Sequence, residues 1–186
     1  SNTMLDTLAN SGAEIDDTPF ILKAQEAMRA IQAEVERGIA GGEVGDGDVF
    51  DRNYKLIEGS NPAQYNTAFC DFADRHVRPI LDRFKATDGR IIGSAITDVN
   101  GYLPTHLSER CQKPGPDPVW NDAHCRNKRI FMDETTRNAI NSNKPAMLAT
   151  YRMELGDKYI PVKNVFVPLW INGRRWGNFE LAYRDE

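Results

Sequence analysis

The chain has 186 residues, 40% of them hydrophobic and 27% charged, enough apolar material for one ordinary core. Its formal charge of −4, from 23 basic against 27 acidic residues, gives no long-range attraction for nucleic acid or anionic lipid, and both are set aside as partners. No apolar run approaches the roughly 18 residues of a membrane span, and Ser1-Asn2-Thr3-Met4-Leu5-Asp6 lacks the regions of a secretory leader, so the expected location is cytoplasmic, with the parent protein free to be membrane-associated.

Residues 1–17 read as a lead-in. Thr18-Pro19 is a helix start, with Thr18 as the cap, and Phe20, Ile21, Ala24, Ala27, Met28, Ile31 and Val35 recur at helical spacing up to the glycines at 38–42. Such a stripe belongs to a core or to a second copy of the chain. After a Gly/Asp-rich connection, the turn Gly59-Ser60-Asn61-Pro62 opens a second expected helix with Tyr65, Phe69, Phe72, His76, Ile80 and Phe84 on one face, kinked at Pro79. His76, lacking ligand partners at useful spacing, reads as a packed, hydrogen-bonded residue.

The strand Ile91–Ile96, the turn Asp98-Val99-Asn100-Gly101 and the run Tyr102–His106 predict a hairpin. Residues 107–125, with Pro114, Gly115, Pro116 and Pro118, predict a long irregular lid-like loop pinned by the Trp120 ring. A short helix over 133–143 with Thr135 as a cap follows, then strands over 146–154, 159–171 and 174–184 joined at Leu155-Gly156-Asp157 and Asn172-Gly173. The middle strand is apolar on both faces and so expected to be covered on both, and Pro168 implies a bulge or an edge in it. The sum is an α+β domain: a five-stranded antiparallel sheet with N-terminal helices and a helical and loop insert between strands 2 and 3. The expected division is lead-in 1–17, helical region 18–88 and sheet-bearing core 89–186.

Chemistry-bearing residues cluster around the insert. Cys70, Cys111 and Cys125 form neither a Cys-x-x-Cys pair nor a disulfide framework; free thiols are the simpler reading, and a single Cys111–Cys125 bridge across the loop is the alternative. His124 and Cys125 are sequence neighbours pointing apart on an extended chain, and no hydrolase elbow, phosphate loop or dinucleotide fingerprint occurs, so an enzyme is not expected. No cofactor is expected; a haem or metal site from His106, Cys111, His124 and Cys125 is the alternative, although their spacing matches no common site. Arg126 and Arg129, bracketing Asn127, either present planar forks to a ligand carboxylate or pair with Asp98 or Asp133. Tyr151, Arg152 and Trp176 on the later strands suit the lining of a small polar pocket.

The phrases Asp98–His106 (DVNGYLPTH), Cys125–Phe131 (CRNKRIF), Leu148–Arg152 (LATYR) and Gly173–Gly177 (GRRWG), preceded by Asp17–Ile21 and Gly59–Gln64, resemble the PAS-like sensory region of bacterial methyl-accepting chemotaxis proteins over about residues 15–184. Leu107 and Arg175 stand where that family often has asparagine and histidine. The resemblance implies a PAS-like sheet with a small polar or anionic ligand between sheet and insert, and a homodimer that passes binding to its flanking helices. The expected ligand-binding residues are Tyr102, Thr105, His106, Trp120, Arg126, Asn127, Arg129, Tyr151, Arg152 and Trp176. A dimerisation module without a ligand is the competing reading.

Overall fold

A computed structural model describes residues 15–155 and 158–185; the lead-in up to residue 14 and two residues of the expected turn, Gly156 and Asp157, lie outside the described residues. The first helix, α1 (Thr18–Ala40), follows a single 3₁₀ turn at Ile15–Asp17. The residue flanking its start is Asp17 rather than the expected Thr18, and neither side chain caps it. The Asp17 carboxylate is instead buried, accepting hydrogen bonds from the Tyr183 hydroxyl (2.7 Å) and from Lys163 Nζ (2.8 Å).

The sheet contains β3 (Ile91–Asp98), β4 (Met147–Leu155), β5 (Lys158–Ile171) and β6 (Arg174–Arg184), all antiparallel in the order β3-β6-β5-β4. Strand alternation divides it into two unlike faces. Val165, Val167, Leu169 and Ile171 of β5 and Phe179, Leu181 and Tyr183 of β6 point to one side, where they form the core with Phe20, Ile21, Ala24, Ala27, Ile31 and Val35 of α1. The helical stripe that could also have met a second copy is thereby spent on the chain's own sheet. On the opposite side stand Gly93, Ala95 and Thr97 of β3, opposed in register by Ala182, Glu180 and Asn178 of β6. The second face of β5 is covered in part: Val162 and Phe166 are buried on it, Phe166 against a cavity, while Trp170 is partly exposed. Pro168 lies beyond the reach of β4, whose pairing ends at Phe166, and a register shift follows it between Leu169 and Trp170. Asn172 and Gly173 both have positive φ (49° and 78°), the mirror-image turn that suits the twist of β5 and β6.

A short helix, α2 (Asp46–Val49), lies in the Gly/Asp-rich connection, and the second long helix departs from expectation. Tyr65–Asn66 (β2) pairs with Lys55–Leu56 (β1) in a two-stranded ribbon, and helix begins only at Cys70. It runs as α3 (Cys70–Phe72), a π turn (Ala73–Val77) and α4 (Arg78–Lys85). Pro79 lies in the first turn of α4 and cannot donate to the turn before it, where the helix widens into the π turn. His76 stacks on Phe72 (4.5 Å between ring centroids) and meets Glu34 through Nδ1 at 3.1 Å.

The expected fifth strand is absent from the sheet among the described residues. The turn itself forms: Gly101 has φ 81° and donates to the Asp98 carbonyl, and the Asp98 carboxylate accepts the N–H groups of Asn100 and Tyr102. Beyond it the chain leaves β3 and pairs with 128–131 instead, through Leu103 N–H to Arg129 O, Lys128 N–H to Leu103 O and Phe131 N–H to Gly101 O. The insert is more regular than its prolines suggested. Pro118 opens a helix, α5 (Pro118–His124), with Asp117 accepting the Val119 N–H as its cap. A further helix, α6 (Glu134–Asn141), is capped by Asp133 rather than Thr135.

Gly177 sets how closely β3 and β6 approach. A Cβ there would fall 1.9 Å from the Thr97 carbonyl oxygen and 2.7 Å from Asp98 Cα. Gly177→Ala is expected to cost about 2–4 kcal/mol, because backbone must move to admit one methyl group. Gly47→Ala, with nothing within 4 Å, is the matched control and should be nearly neutral. Urea melts of both variants test this; a Gly177→Ala cost below about 1 kcal/mol contradicts the close approach.

Candidate functional site

The second face of the sheet and the insert enclose a cavity of about 420 Å³, within the range of small-ligand sites. Its floor is low because three strands place very small side chains there, Gly93 and Ala95 on β3, Ala149 on β4 and Ala182 on β6. Polar groups stand among them: Thr97, Glu180 and Asn164, with Phe166 and Tyr151 completing the floor. The roof is Leu103, His106, Arg126 and Phe131, and Asp133, Thr135 and Thr136 from the start of α6 form one wall.

The floor is rich in acceptors. Asn164 donates its amide N–H to Glu180 Oε1 at 3.0 Å, while its own Oδ1 has no hydrogen-bond partner among the described residues. The buried hydroxyl of Thr97 lies beside the Glu180 carboxylate without a well-formed hydrogen bond among the described residues. No lysine, arginine or histidine among the described residues lies within ion-pair distance of Glu180. Burial pushes its carboxyl above the ordinary range, against the pull of the Asn164 amide and the Thr97 hydroxyl.

The roof is rich in donors. His106 Nδ1 accepts the Leu107 N–H at 2.8 Å, so the neutral ring carries its proton on Nε2. Burial, then the positive charges of Arg126, Arg110 and Arg78, bring its pKa down to about 3. Arg126 lies over the Phe131 ring, 4.5 Å from its centroid, and spends one N–H on the Asp122 carbonyl (2.9 Å). Tyr151 sits within the fields of both poles: burial and the charge of Glu180 raise its hydroxyl, and Arg126 opposes them.

Of the residues expected to bind a ligand, His106, Arg126 and Tyr151 line this cavity. The others stand elsewhere, each for a local reason. The buried Tyr102 hydroxyl donates to the Tyr65 carbonyl and meets Cys70 Sγ at 3.0 Å. Thr105 is fully buried with its hydroxyl accepting from Arg78 Nε at 3.3 Å. Trp120 does not pin its loop; 38% exposed, it stacks on His124 one helical turn away. The loop is held by the buried Asn121 instead, whose side chain bonds Asn61 O, Gly115 O and Gly115 N at 2.8–2.9 Å. Asn127 receives Gln64 Nε2 on its carbonyl, and Arg129 pairs with Asp122 at 2.8 Å. Neither arginine pairs with Asp98, which accepts from the Tyr54 hydroxyl, or with Asp133, which caps α6. Arg152 is exposed on β4. Trp176 belongs to the helix-side core: the shift at Leu169/Trp170 breaks the alternation, and its indole N–H donates to the Val49 carbonyl at 2.8 Å.

Glu180, Asn164 and Thr97 escaped the sequence reading, although Glu180 sits in an alternating strand whose other face is apolar. Leu107 is buried in the core. Arg175 donates to the Ser142 and Ala139 carbonyls at the end of α6, so it ties the insert to the sheet. Among the described residues no three His, Cys, Asp or Glu side chains converge as metal ligands would, and no helix is long and apolar enough to cross a membrane.

No protein-family description and no curated protein matches the chain. Among solved structures it is similar to the ligand-binding domain of Campylobacter jejuni chemoreceptor Tlp3 in complex with L-valine, at 12% identity and a TM-score of 0.40, over 90% of this chain and 60% of that one. Methyl-accepting Chemotaxis protein X is similar at 14% identity and a TM-score of 0.35, covering 90% and 63%. The sensory domain of Tlp3 (CcmL) of the same organism follows at 13%, 0.37, 90% and 61%. The chain thus spans about 60% of the length of the Tlp3 structures.

The neutral His106 has a consequence for stability. In the unfolded chain its imidazole protonates near pH 6.5, and in the folded chain only near 3. Between these values the unfolded state binds more protons, so this contribution is complete above about pH 6.5 and is lost as pH falls toward 3. His106→Gln is expected to flatten the pH dependence of folding stability by about 1 kcal/mol per pH unit between about pH 6 and 4. Parallel urea-stability curves for the two proteins would contradict a neutral, buried ring.

Proposed function

We propose that the chain is a small-molecule-sensing input domain of a bacterial signal transducer, of the kind carried by methyl-accepting chemotaxis proteins. The observation that carries this reading is the two-sided cavity: a floor whose Asn164 Oδ1 lacks a partner and whose Glu180 carboxylate lacks a cation among the described residues, facing a roof of Arg126 and neutral His106. Buried polar groups left unpaired cost free energy, and a ligand that supplies their partners recovers it. The ligand expected is small and polar, with an anionic or acceptor group toward Arg126 and His106 and a donor group toward Glu180 and Asn164. The sequence phrases shared with chemoreceptor sensory regions support the same reading. A ligand gripped by both floor and roof draws the insert toward the sheet, and α1 packs on the far face of that sheet. A signal passes only if the ligand binds the two arrangements unequally.

A thermal-shift screen against amino acids, organic acids and purines tests the proposal. At about 100 times its dissociation constant a ligand stabilises the fold by about 2.7 kcal/mol, a Tm rise of about 5–10 °C. Glu180→Gln and Arg126→Ala should each weaken the hit at least tenfold while leaving the fold intact. A flat response across the screen, or a hit indifferent to both substitutions, removes the cavity as the sensing site.

A further inference from the structure

Away from the cavity lining, the insert sets two of the three cysteines directly opposite one another. Residues 110–112 run antiparallel to 124–126, with Gln112 N–H donating to His124 O at 3.1 Å and Arg126 N–H donating to Arg110 O at 2.7 Å. Cys111 and Cys125 are the opposed pair between those two bonds. Because the hydrogen bonds belong to the flanking residues and not to the cysteines, this is the narrow kind of antiparallel pair, with Cα atoms about 4.5 Å apart and side chains on one face. That separation falls within the range a disulfide spans. Both residues are thiols here, Cys125 buried and Cys111 half-buried, with the Cys111 S–H donating to the His106 carbonyl at 3.3 Å. Cys70 lies apart, on α3 against the Tyr102 hydroxyl.

We propose that Cys111 and Cys125 form a reversible thiol–disulfide site that closes the base of the insert. The oxidant is a low-molecular-weight disulfide. The more accessible Cys111 thiolate attacks one of its sulfurs, forming a mixed disulfide and expelling one small thiolate. The Cys125 thiolate then attacks Cys111 Sγ, forming the internal bond and expelling the second. Two protein thiols are oxidised, the small disulfide is reduced to two thiols, and the two cysteine protons end on them. Burial raises the Cys111 thiol to about 11, so the rate should climb roughly tenfold per pH unit below that value. The bond removes the S–H donor from the His106 carbonyl, which ties the redox state to a residue of the cavity roof.

Oxidised glutathione added to the purified chain at about pH 9 tests this. The thiol titre in denaturant should fall from three to one, and a tryptic digest should yield one intramolecular link between the Cys111 and Cys125 peptides, with Cys70 still alkylatable. Closing a loop of about 15 residues should raise Tm by about 5–10 °C, reversed by dithiothreitol. Cys70→Ser should behave in the same way, and Cys111→Ser should abolish both the link and the Tm rise. An unchanged titre, a Cys111–glutathione adduct that goes no further, or links that join Cys70 or two chains would each overturn the proposal. Cys111→Ser, at the half-exposed position, decides the matter even if Cys125→Ser fails to fold.

Discussion

A sheet has two faces to keep from water, and this one solves the problem differently on each side. One face carries large aliphatic and aromatic side chains and is sealed by α1. The other sets Phe166 and Tyr151 among glycine, alanine and a few polar groups, too little apolar bulk to fill the space beneath the insert. Close-packed interiors tolerate few voids larger than a water molecule. A cavity of about 420 Å³ therefore reflects the small side chains of Gly93, Ala95, Ala149 and Ala182. The cavity exists because of that asymmetry.

The insert keeps its distance from the sheet through contacts that bypass the cavity. Asp98 ties the turn at the end of β3, with one carboxylate oxygen taking two backbone N–H groups and the other the Tyr54 hydroxyl. Asn121 holds the proline-rich loop through three backbone atoms, and Arg175 collects the last carbonyls of α6. Most of these bonds go to backbone atoms. They set the height of the roof, leaving Arg126 and His106 to present polar atoms below it.

Much of this was legible in the sequence, and what was not has identifiable causes. The last strand follows from its alternation, the middle one from its apolar run ending at Asn172-Gly173, and α1 from its seven-residue stripe, since these signals are local. The start of the second helix was misplaced because Tyr65 fits the helical spacing, while its backbone pairs with Lys55–Leu56 and Lys128, partners that periodicity cannot reveal. The hairpin at Asn100-Gly101 was read correctly as a turn, but the strand expected after it pairs with 128–131 instead of β3. Site residues fared unevenly for one reason. Aromatic and arginine side chains were favoured as lining, yet Tyr102, Trp176 and Arg129 found partners in the core or the insert, whereas the floor is made of residues whose importance is their smallness.

Lys163 and Asn164 are neighbours on β5 and point to opposite faces of the sheet. Lys163 clamps Asp17, where α1 begins, at 2.8 Å and Asp185, just past β6, at 3.2 Å. Asn164 lies on the cavity floor beside Glu180. The segments that enter and leave the domain are thus fastened at one corner, a single peptide unit from a cavity side chain. A tilt of that peptide would pull on both tethers together, so the two flanking segments would move as a pair, and their spacing would stay fixed while their common angle to the sheet changed.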